Sequence, residues 1–63
     1  MSISTITFLN KQIEAANAAI KAIEAQIASD PPETTDQLLM LREVQNKYRS
    51  VIDSLKAAID CCE

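Results

Sequence analysis

The feature that most constrains the fold of this chain is an unbroken apolar repeat in its first half. Apolar residues recur there at alternating spacings of three and four: Ile6, Leu9, Ile13, Ala16, Ile20, Ile23 and Ile27. This spacing places all of these side chains along one edge of an α-helix, as in helices that pack by heptads. Because an isolated helix is only marginally stable in water, this edge needs a partner.

The second half of the chain carries a matching stripe and is separated from the first by a proline pair. Its main apolar positions are Leu38, Leu41, Tyr48, Ile52, Leu55 and Ile59. Pro31 and Pro32 interrupt the helix, since the residue before a proline is driven out of the α region. The sequence therefore predicts one all-α domain, an antiparallel two-helix hairpin of the helical coiled-coil type. We expect the first helix over about residues 4 to 28, a turn over 29 to 34 and the second helix over about 35 to 60.

The sequence leaves the helix caps open. Asp30 could cap the second helix, with Pro31 in the first helical position and Glu33 in the first turn. Thr34 is the alternative cap, because Gln37 follows it at the three-residue spacing of a capping box. The first helix has three alternative capping residues: Ser2, Ser4 and Thr5.

Folding the chain about the prolines pairs the two stripes in one register. The numbers of facing residues then sum to 64 or 65 from end to end. The predicted pairs are Ile27 with Leu38, Ile23 with Leu41, Ile20 with Gln45, Ala16 with Tyr48, Ile13 with Ile52, Leu9 with Leu55, and Ile6 with Ile59. Close packing requires complementary volumes, so we expect the small Ala16 to receive the aromatic ring of Tyr48, which fills the core with its hydroxyl at the rim.

This pairing leaves further apolar residues without a partner. These candidates for a partner interface are Phe8, Ala15, Ala18, Ala22, Ala25, Met40, Val44 and Val51. A domain of 63 residues buries too little surface to be more than marginally stable alone. We therefore expect the hairpin to complete a bundle by binding another protein or a second copy of itself. The alternative for the alanines is that they serve only as strong helix formers.

The side chains do not suggest catalysis, a metal site or a cofactor. The chain has no histidine, so neither a Ser-His nor a Cys-His couple can form. Its carboxylates at Glu14, Glu24, Glu43 and Asp53 are expected on solvated faces with nothing to perturb them. We therefore expect no enzymatic activity. Cys61 and Cys62 are interpreted either as free thiols or as the site of a disulfide between protomers.

Charge and hydropathy bear on partners and location. Nine acidic and six basic residues give a net charge of -3, which disfavours nucleic acid and anionic membranes as partners. The longest apolar run, residues 38 to 41, is far shorter than the roughly 20 residues of a membrane-spanning helix. The N-terminus lacks the pattern of a signal peptide, so a cytoplasmic protein is expected.

The order of these features resembles the small helical hairpins of bacterial type III secretion. The turn Ser29-Asp30-Pro31, the Leu38-Leu39 segment, Tyr48 and the segment Lys56-Ala57-Ala58-Ile59-Asp60 resemble needle-forming subunits. The pattern from Gln37 to Ile59 is similar to the second helix of the small co-chaperones that keep those subunits soluble. This chain is shorter after Tyr48 and ends in Cys61-Cys62-Glu63, not in the apolar and basic tail of needle subunits.

The resemblance therefore implies a small cytosolic co-chaperone-like component that binds through protein-protein contacts. It also implies that the alanine stripe, or the flank of Val44 and Val51, docks onto a second chaperone. Two alternatives remain. One is an RNA-binding homodimeric four-helix bundle, since the plasmid copy-control protein ROP is also an acidic helical hairpin of similar size. Its polar strip would be Asn10, Gln12, Asn17, Lys21 and Gln26. The other is a self-assembling structural hairpin of a phage or mobile element.

Overall fold

The protein is an all-α helical hairpin. The computed structural model describes residues 3–61, in which α1 spans Ile3–Ser29 and α2 spans Thr35–Asp60. The helices are antiparallel, because Ile20 contacts Gln45 while Glu24, one turn further along α1, contacts Arg42, which precedes Gln45 on α2. Relative to the predicted ranges, α1 is longer by one residue at each end and α2 has the same bounds.

The start of α2 decides between the two predicted caps. Thr34 is the N-cap, with extended backbone angles of φ -126° and ψ 155°, and its Oγ1 accepts a hydrogen bond from the Gln37 backbone N–H at 3.2 Å. Gln37 Oε1 accepts from the N–H of Glu33 at 3.3 Å, one residue earlier than a standard capping box requires. Asp30 is not the cap, because its N–H donates to the Gln26 carbonyl at 2.8 Å and so closes the last turn of α1.

The start of α1 excludes two of its three predicted caps. Ser4 and Thr5 lie inside the helix, which begins at Ile3. An N-cap has non-helical backbone angles by definition, so neither residue can fill that role. Ser2 lies outside the described residues.

The interface between the helices is narrow. Among the described residues, only Ala16, Gln45 and Ile52 are buried. We call the residues along which the two helices meet the seam. Its other apolar members are half-buried, namely Ile6, Leu9, Ile13, Ile20, Ile23, Ile27, Leu38, Leu41, Leu55 and Ile59. One helix covers only one side of another, so a pair of helices leaves most seam residues partly open to solvent.

Tyr48 does not fill the core as predicted. It occupies a seam position by its number, yet it is 37% exposed. Its side chain lines an open depression together with Val44, Lys47 and Val51. A phenol ring carries a polar hydroxyl at its tip, and exposure at the rim keeps that group hydrated. The fully buried side chain on this part of α2 is instead that of Gln45.

The hairpin is a single layer of two helices. Its Cα atoms extend over 46 × 17 × 9 Å, and the shortest of these dimensions is about the thickness of one helix. Stable domains usually consist of at least two packed layers around a core. Both broad faces of this layer are therefore open in the single chain.

Candidate protein-interaction surface

The two broad faces differ in chemistry, and helix geometry assigns residues to them. Successive residues turn by about 100°, so side chains on either side of the seam point to opposite faces. Glu24 of α1 pairs with Arg42 of α2, which places both on one face. Gln26 of α1 and Met40 of α2 line one depression near the turn, which places these two on the other face.

We call the first of these the charged face and the second the apolar face. The same rotation places polar or charged residues around Glu24 and Arg42 on the charged face: Asn17, Asn46, Arg49 and Asp53. It places on the opposite side a group of apolar residues, Phe8, Ala15, Ala19, Ala22, Val44, Tyr48 and Val51, together with the polar Gln12, Gln26 and Lys47. The hairpin is therefore amphipathic across its thickness as well as around each helix.

The large side chains of the apolar face come from α2. Val44, Tyr48 and Val51 are all exposed, and together with Lys47 they line an open depression of about 220 Å³. The sequence predicted Val44 and Val51 for a partner interface and assigned Tyr48 to the core. The structure brings all three together on one surface. The seven-residue spacing of Val44 and Val51, with Tyr48 between them, is the signal that links Tyr48 to this surface.

The α1 half of the apolar face is built mainly from small side chains. Phe8, Ala15 and Ala22 follow one another at seven-residue spacing and are exposed, while Ala19 is half-buried. Alanine allows close approach of another backbone, whereas Phe8 projects a large ring that is 58% exposed. The α1 half therefore has a low surface around Ala15, Ala19 and Ala22, with the longer side chains of Gln12 and Gln26 on either side.

Two members of the predicted interface, Ala18 and Ala25, lie off the apolar face, and a third, Met40, lies on it but apart from the cluster around Tyr48. Ala18 and Ala25 follow Ala15 and Ala22 by three residues, which rotates them about 60° further from α2 onto the outer surface of α1. Met40 is 65% exposed and lines a separate depression beside Pro31 and Pro32 at the turn. The predicted interface is therefore not one continuous patch.

A polar network crosses the seam on the side of the charged face. The Gln45 side chain is fully buried, and its Nε2 donates to the Ile20 carbonyl at 3.2 Å and to Glu24 Oε1 at 3.1 Å. Its Oε1 accepts from Arg42 Nη1 at 2.8 Å, and the same nitrogen donates to Glu24 Oε1 at 2.6 Å. Both amide protons of Gln45 are satisfied, so its burial is not penalised by an unpaired donor.

Glu24 is perturbed, contrary to the expectation of a plain solvated carboxylate. The hydrogen bond from Gln45 and then that from Arg42 lower the pKa of Glu24 below its ordinary value, and the positive charges of Arg42 and Arg49 add to the effect. Sequence analysis missed this network because a glutamine at a seam position does not reveal whether its amide is buried. A glutamate one turn after Ile20 and an arginine one turn before Gln45 were the available signal.

The C-terminal end of α2 carries a thiol. Cys61 is the C-cap of α2, and its backbone N–H donates to the carbonyl oxygen of Ala57 at 3.0 Å. Its side chain is exposed and is not part of a disulfide. Cys62 lies outside the described residues. The choice between free thiols and a disulfide between protomers stays a prediction.

Two further properties hold for residues 3–61. Within this range, no group of three or more histidine, cysteine, aspartate or glutamate side chains could hold a metal ion. Neither helix combines the length and the apolar character needed to cross a membrane.

The sequence and the structure were compared with those of known proteins. No protein family model, no curated protein and no solved structure matches this chain.

Proposed function

We propose that this chain is a non-enzymatic protein-interaction module that binds helices of another polypeptide through its apolar face. The observation that carries the proposal is the exposed cluster of Val44, Tyr48 and Val51 on a hairpin only one layer thick. Exposed aromatic and aliphatic side chains gathered at one place are typical of binding sites. Burying them would complete the core that α1 and α2 only begin.

The shape and charge of this face define what it would bind. A low alanine surface on α1 beside larger side chains on α2 forms a step along the hairpin, and an amphipathic helix can lie against such a step. Lys47 lines the same depression as Tyr48, so a carboxylate at the edge of the bound helix would be favoured. The proposed ligand is therefore an apolar helical surface with acidic residues at its rim.

We further propose that the module is a cytoplasmic co-chaperone-like component of a type III secretion system. The support is the resemblance described above, from the turn Ser29-Asp30-Pro31 through Leu38-Leu39 to Tyr48. In this role the apolar face would dock onto a second chaperone. The RNA-binding alternative has less support, because Arg42 is already paired with Glu24 and acidic side chains lie among the basic ones.

Site-specific photocrosslinking in the native cell tests the proposal. The photoreactive residue p-benzoylphenylalanine replaces Tyr48 on the apolar face and, as the matched control, Asp53 on the charged face of the same helix. We expect discrete protein adducts from position 48 and none from position 53. The absence of adducts at position 48, or the same adducts at both positions, would refute an interaction through the apolar face.

Mass spectrometry of the adducts then tests the finer proposal. A secretion chaperone or a needle subunit crosslinked at position 48 would support the co-chaperone role. Adducts made only with proteins of other systems would refute that role and leave the interaction module standing.

A further inference from the structure

The isolated hairpin exposes more surface than a compact protein of its mass. Its accessible surface is 4729 Å², about 700 Å² more than the roughly 4,000 Å² expected for a folded monomer of 6.9 kDa. One partner in a standard protein interface contributes about 800 Å². The excess therefore matches one interface of ordinary size per chain.

The apolar face is complementary to itself. We call the position of a residue along the long axis of the hairpin its height. Residues of α1 and α2 at the same height have numbers that sum to about 65, as the contacts of Ile20 with Gln45 and of Glu24 with Arg42 establish. At four heights along the apolar face, one helix carries a large residue and the other a small one, whereas Gln26 and Met40 near the turn are both long. The four pairs of a large and a small residue are Phe8 with Ala58, Ala15 with Val51, Ala19 with Tyr48, and Ala22 with Val44.

From this complementarity we infer that the partner on the apolar face is a second copy of this chain, related by a two-fold axis parallel to the helices. Rotation about such an axis places α2 of one copy over α1 of the other. Each residue keeps its position along the direction of the helices. Val51 then meets Ala15 of the second chain, and Val44 meets its Ala22. The result is a four-helix bundle with both turns at the same end. The inference rests on the proposed function, because it names the partner of the same face.

The other closed two-fold arrangement fits less well. An axis perpendicular to the helices would lay α2 on α2 and α1 on α1, with the turns at opposite ends. Val44 would then meet Val51 of the second chain, while alanines would meet alanines across the α1 layer. The α2 pair would be held apart and the α1 pair would need to come closer. Packing at uniform density favours large residues against small ones throughout.

Helix direction is compatible with the inferred arrangement but does not separate it from the alternative. In both dimers every helix has two antiparallel neighbours, one in its own chain and one in the other. Antiparallel neighbours place opposite ends of the helix dipoles side by side, which is favourable. The charged faces, with Glu24 and Arg42, remain on the two outer surfaces of the bundle.

The first test is the oligomeric state measured by sedimentation equilibrium. Cys61→Ser and Cys62→Ser are combined in the background, so that no disulfide can link two chains. We expect twice the mass of 6.9 kDa. Ala22→Arg should raise the dimer dissociation constant by at least about tenfold, because the new charge would be buried between chains. Ala18→Arg is the matched control on the outer surface of α1 and should change it by less than about threefold.

The second test distinguishes the two axes. Glu33→Cys in the same background places one spin label at each turn, and pulsed electron resonance measures the distance between them. Turns at the same end of a bundle should give a distance below about 25 Å, given interhelical spacings of 8–10 Å. Turns at opposite ends would be separated by approximately the 46 Å length of the hairpin. The long distance would overturn the parallel axis.

The outcomes separate this inference from the proposed function. A monomer in sedimentation, or equal effects of Ala22→Arg and Ala18→Arg, would overturn the second copy as the partner. If position 48 still gave discrete adducts with another protein in that case, the interaction module would survive. A dimer with the short turn-to-turn distance, and an adduct of twice the chain mass at position 48, would support the second copy as the partner and an interaction through the apolar face, and would refute the docking of a second chaperone on that face.

Discussion

Gln45 donates a hydrogen bond from its buried side chain to the backbone carbonyl oxygen of Ile20 on the opposite helix, at 3.2 Å. The rest of this seam is aliphatic, and aliphatic contacts alone tolerate sliding of one helix along the other. A buried amide does not, because a slip would leave its donors unpaired. Single polar residues at such positions fix the register of coiled coils for the same reason. Gln45 is thus the residue that sets the height of α2 against α1.

Gln45→Ala should destabilise the protein by about 1–3 kcal/mol. The substitution removes the hydrogen bonds to Ile20 and Glu24 and leaves a cavity beside the seam. Urea denaturation at fixed protein concentration measures the effect. Asn46→Ala is the control, because Asn46 is exposed and its side chain accepts only from Arg49 at 3.3 Å, so its change should stay within about 0.5 kcal/mol. Equal losses in both variants would contradict this account.

Ala16→Leu should cost roughly 1 to 3 kcal/mol by overpacking. Ala16 is among the few buried residues of the described chain, and three added carbon atoms have no space there without movement of α2. Thermal denaturation compares it with Ala18→Leu, where the alanine lies on the outer surface of α1 and the change should be within about 0.5 kcal/mol. A rise in melting temperature for Ala16→Leu would show that the register at this layer is wrong.

Glu24 should make stability sensitive to mild acid. The Gln45 and Arg42 hydrogen bonds hold the folded-state pKa of Glu24 below its ordinary value of 4.5. A depressed carboxylate pKa contributes stability that is present above the unfolded-state value and is lost as the pH falls through the folded-state value. The free energy of unfolding should therefore fall as the pH is lowered from about 5.5 to below the folded-state pKa of Glu24.

The comparison of Glu24→Gln with Glu14→Gln isolates this contribution. Glu14 is an exposed residue of the same helix and makes no ion pair with another described residue. Glu24→Gln should flatten the acid side of the stability profile, and Glu14→Gln should leave more of the slope. High salt should weaken the Glu24 effect, since both partners of the ion pair are about half exposed. Parallel profiles for the two variants would argue against a special role of Glu24.

Thr34→Ala should destabilise α2 by about 1 kcal/mol. The substitution removes the Oγ1 acceptor of the Gln37 N–H, which then has no partner in the first turn. Circular dichroism during thermal unfolding measures the loss, and Thr34→Ser should retain most of the stability. Thr35→Ala is the neighbouring control inside the helix, where alanine is the better helix former. A greater loss of stability from Thr35→Ala than from Thr34→Ala would show that Thr34 is not the N-cap of α2.

The sequence predicts the hairpin well because its determinants are local. The Pro31-Pro32 pair ends one helix, and Thr34 with Gln37 begins the next through bonds between residues close in the chain. The register follows from the heptad spacing on both sides of the turn. The predicted pair of Ile20 and Gln45 is in direct contact in the structure.

The residues that sequence analysis misplaced are those whose environment depends on the exact rotation of a helix. Tyr48 fits the seam by spacing, but a small rotation of α2 moves its ring to the rim. A straight helix drifts by about 20° per heptad, so spacing alone cannot fix this. Ala18 and Ala22 look equivalent as alanines, and only their angles from α2 separate the outer surface from the apolar face. The ion pair between Glu24 and Arg42 could be predicted only once the register of the two helices was known.

The constant sum of facing residue numbers restricts how a hairpin of this design can change length during evolution. One residue inserted within α1 would rotate everything beyond it by about 100° and advance it by 1.5 Å, which would misalign Ile20 and Gln45. A duplication of seven residues preserves the rotation, but only a matching duplication in α2 restores the pairing. Residues 31–33 lie between the two helices and are exempt from this rule, so insertions and fused segments should be tolerated most readily there.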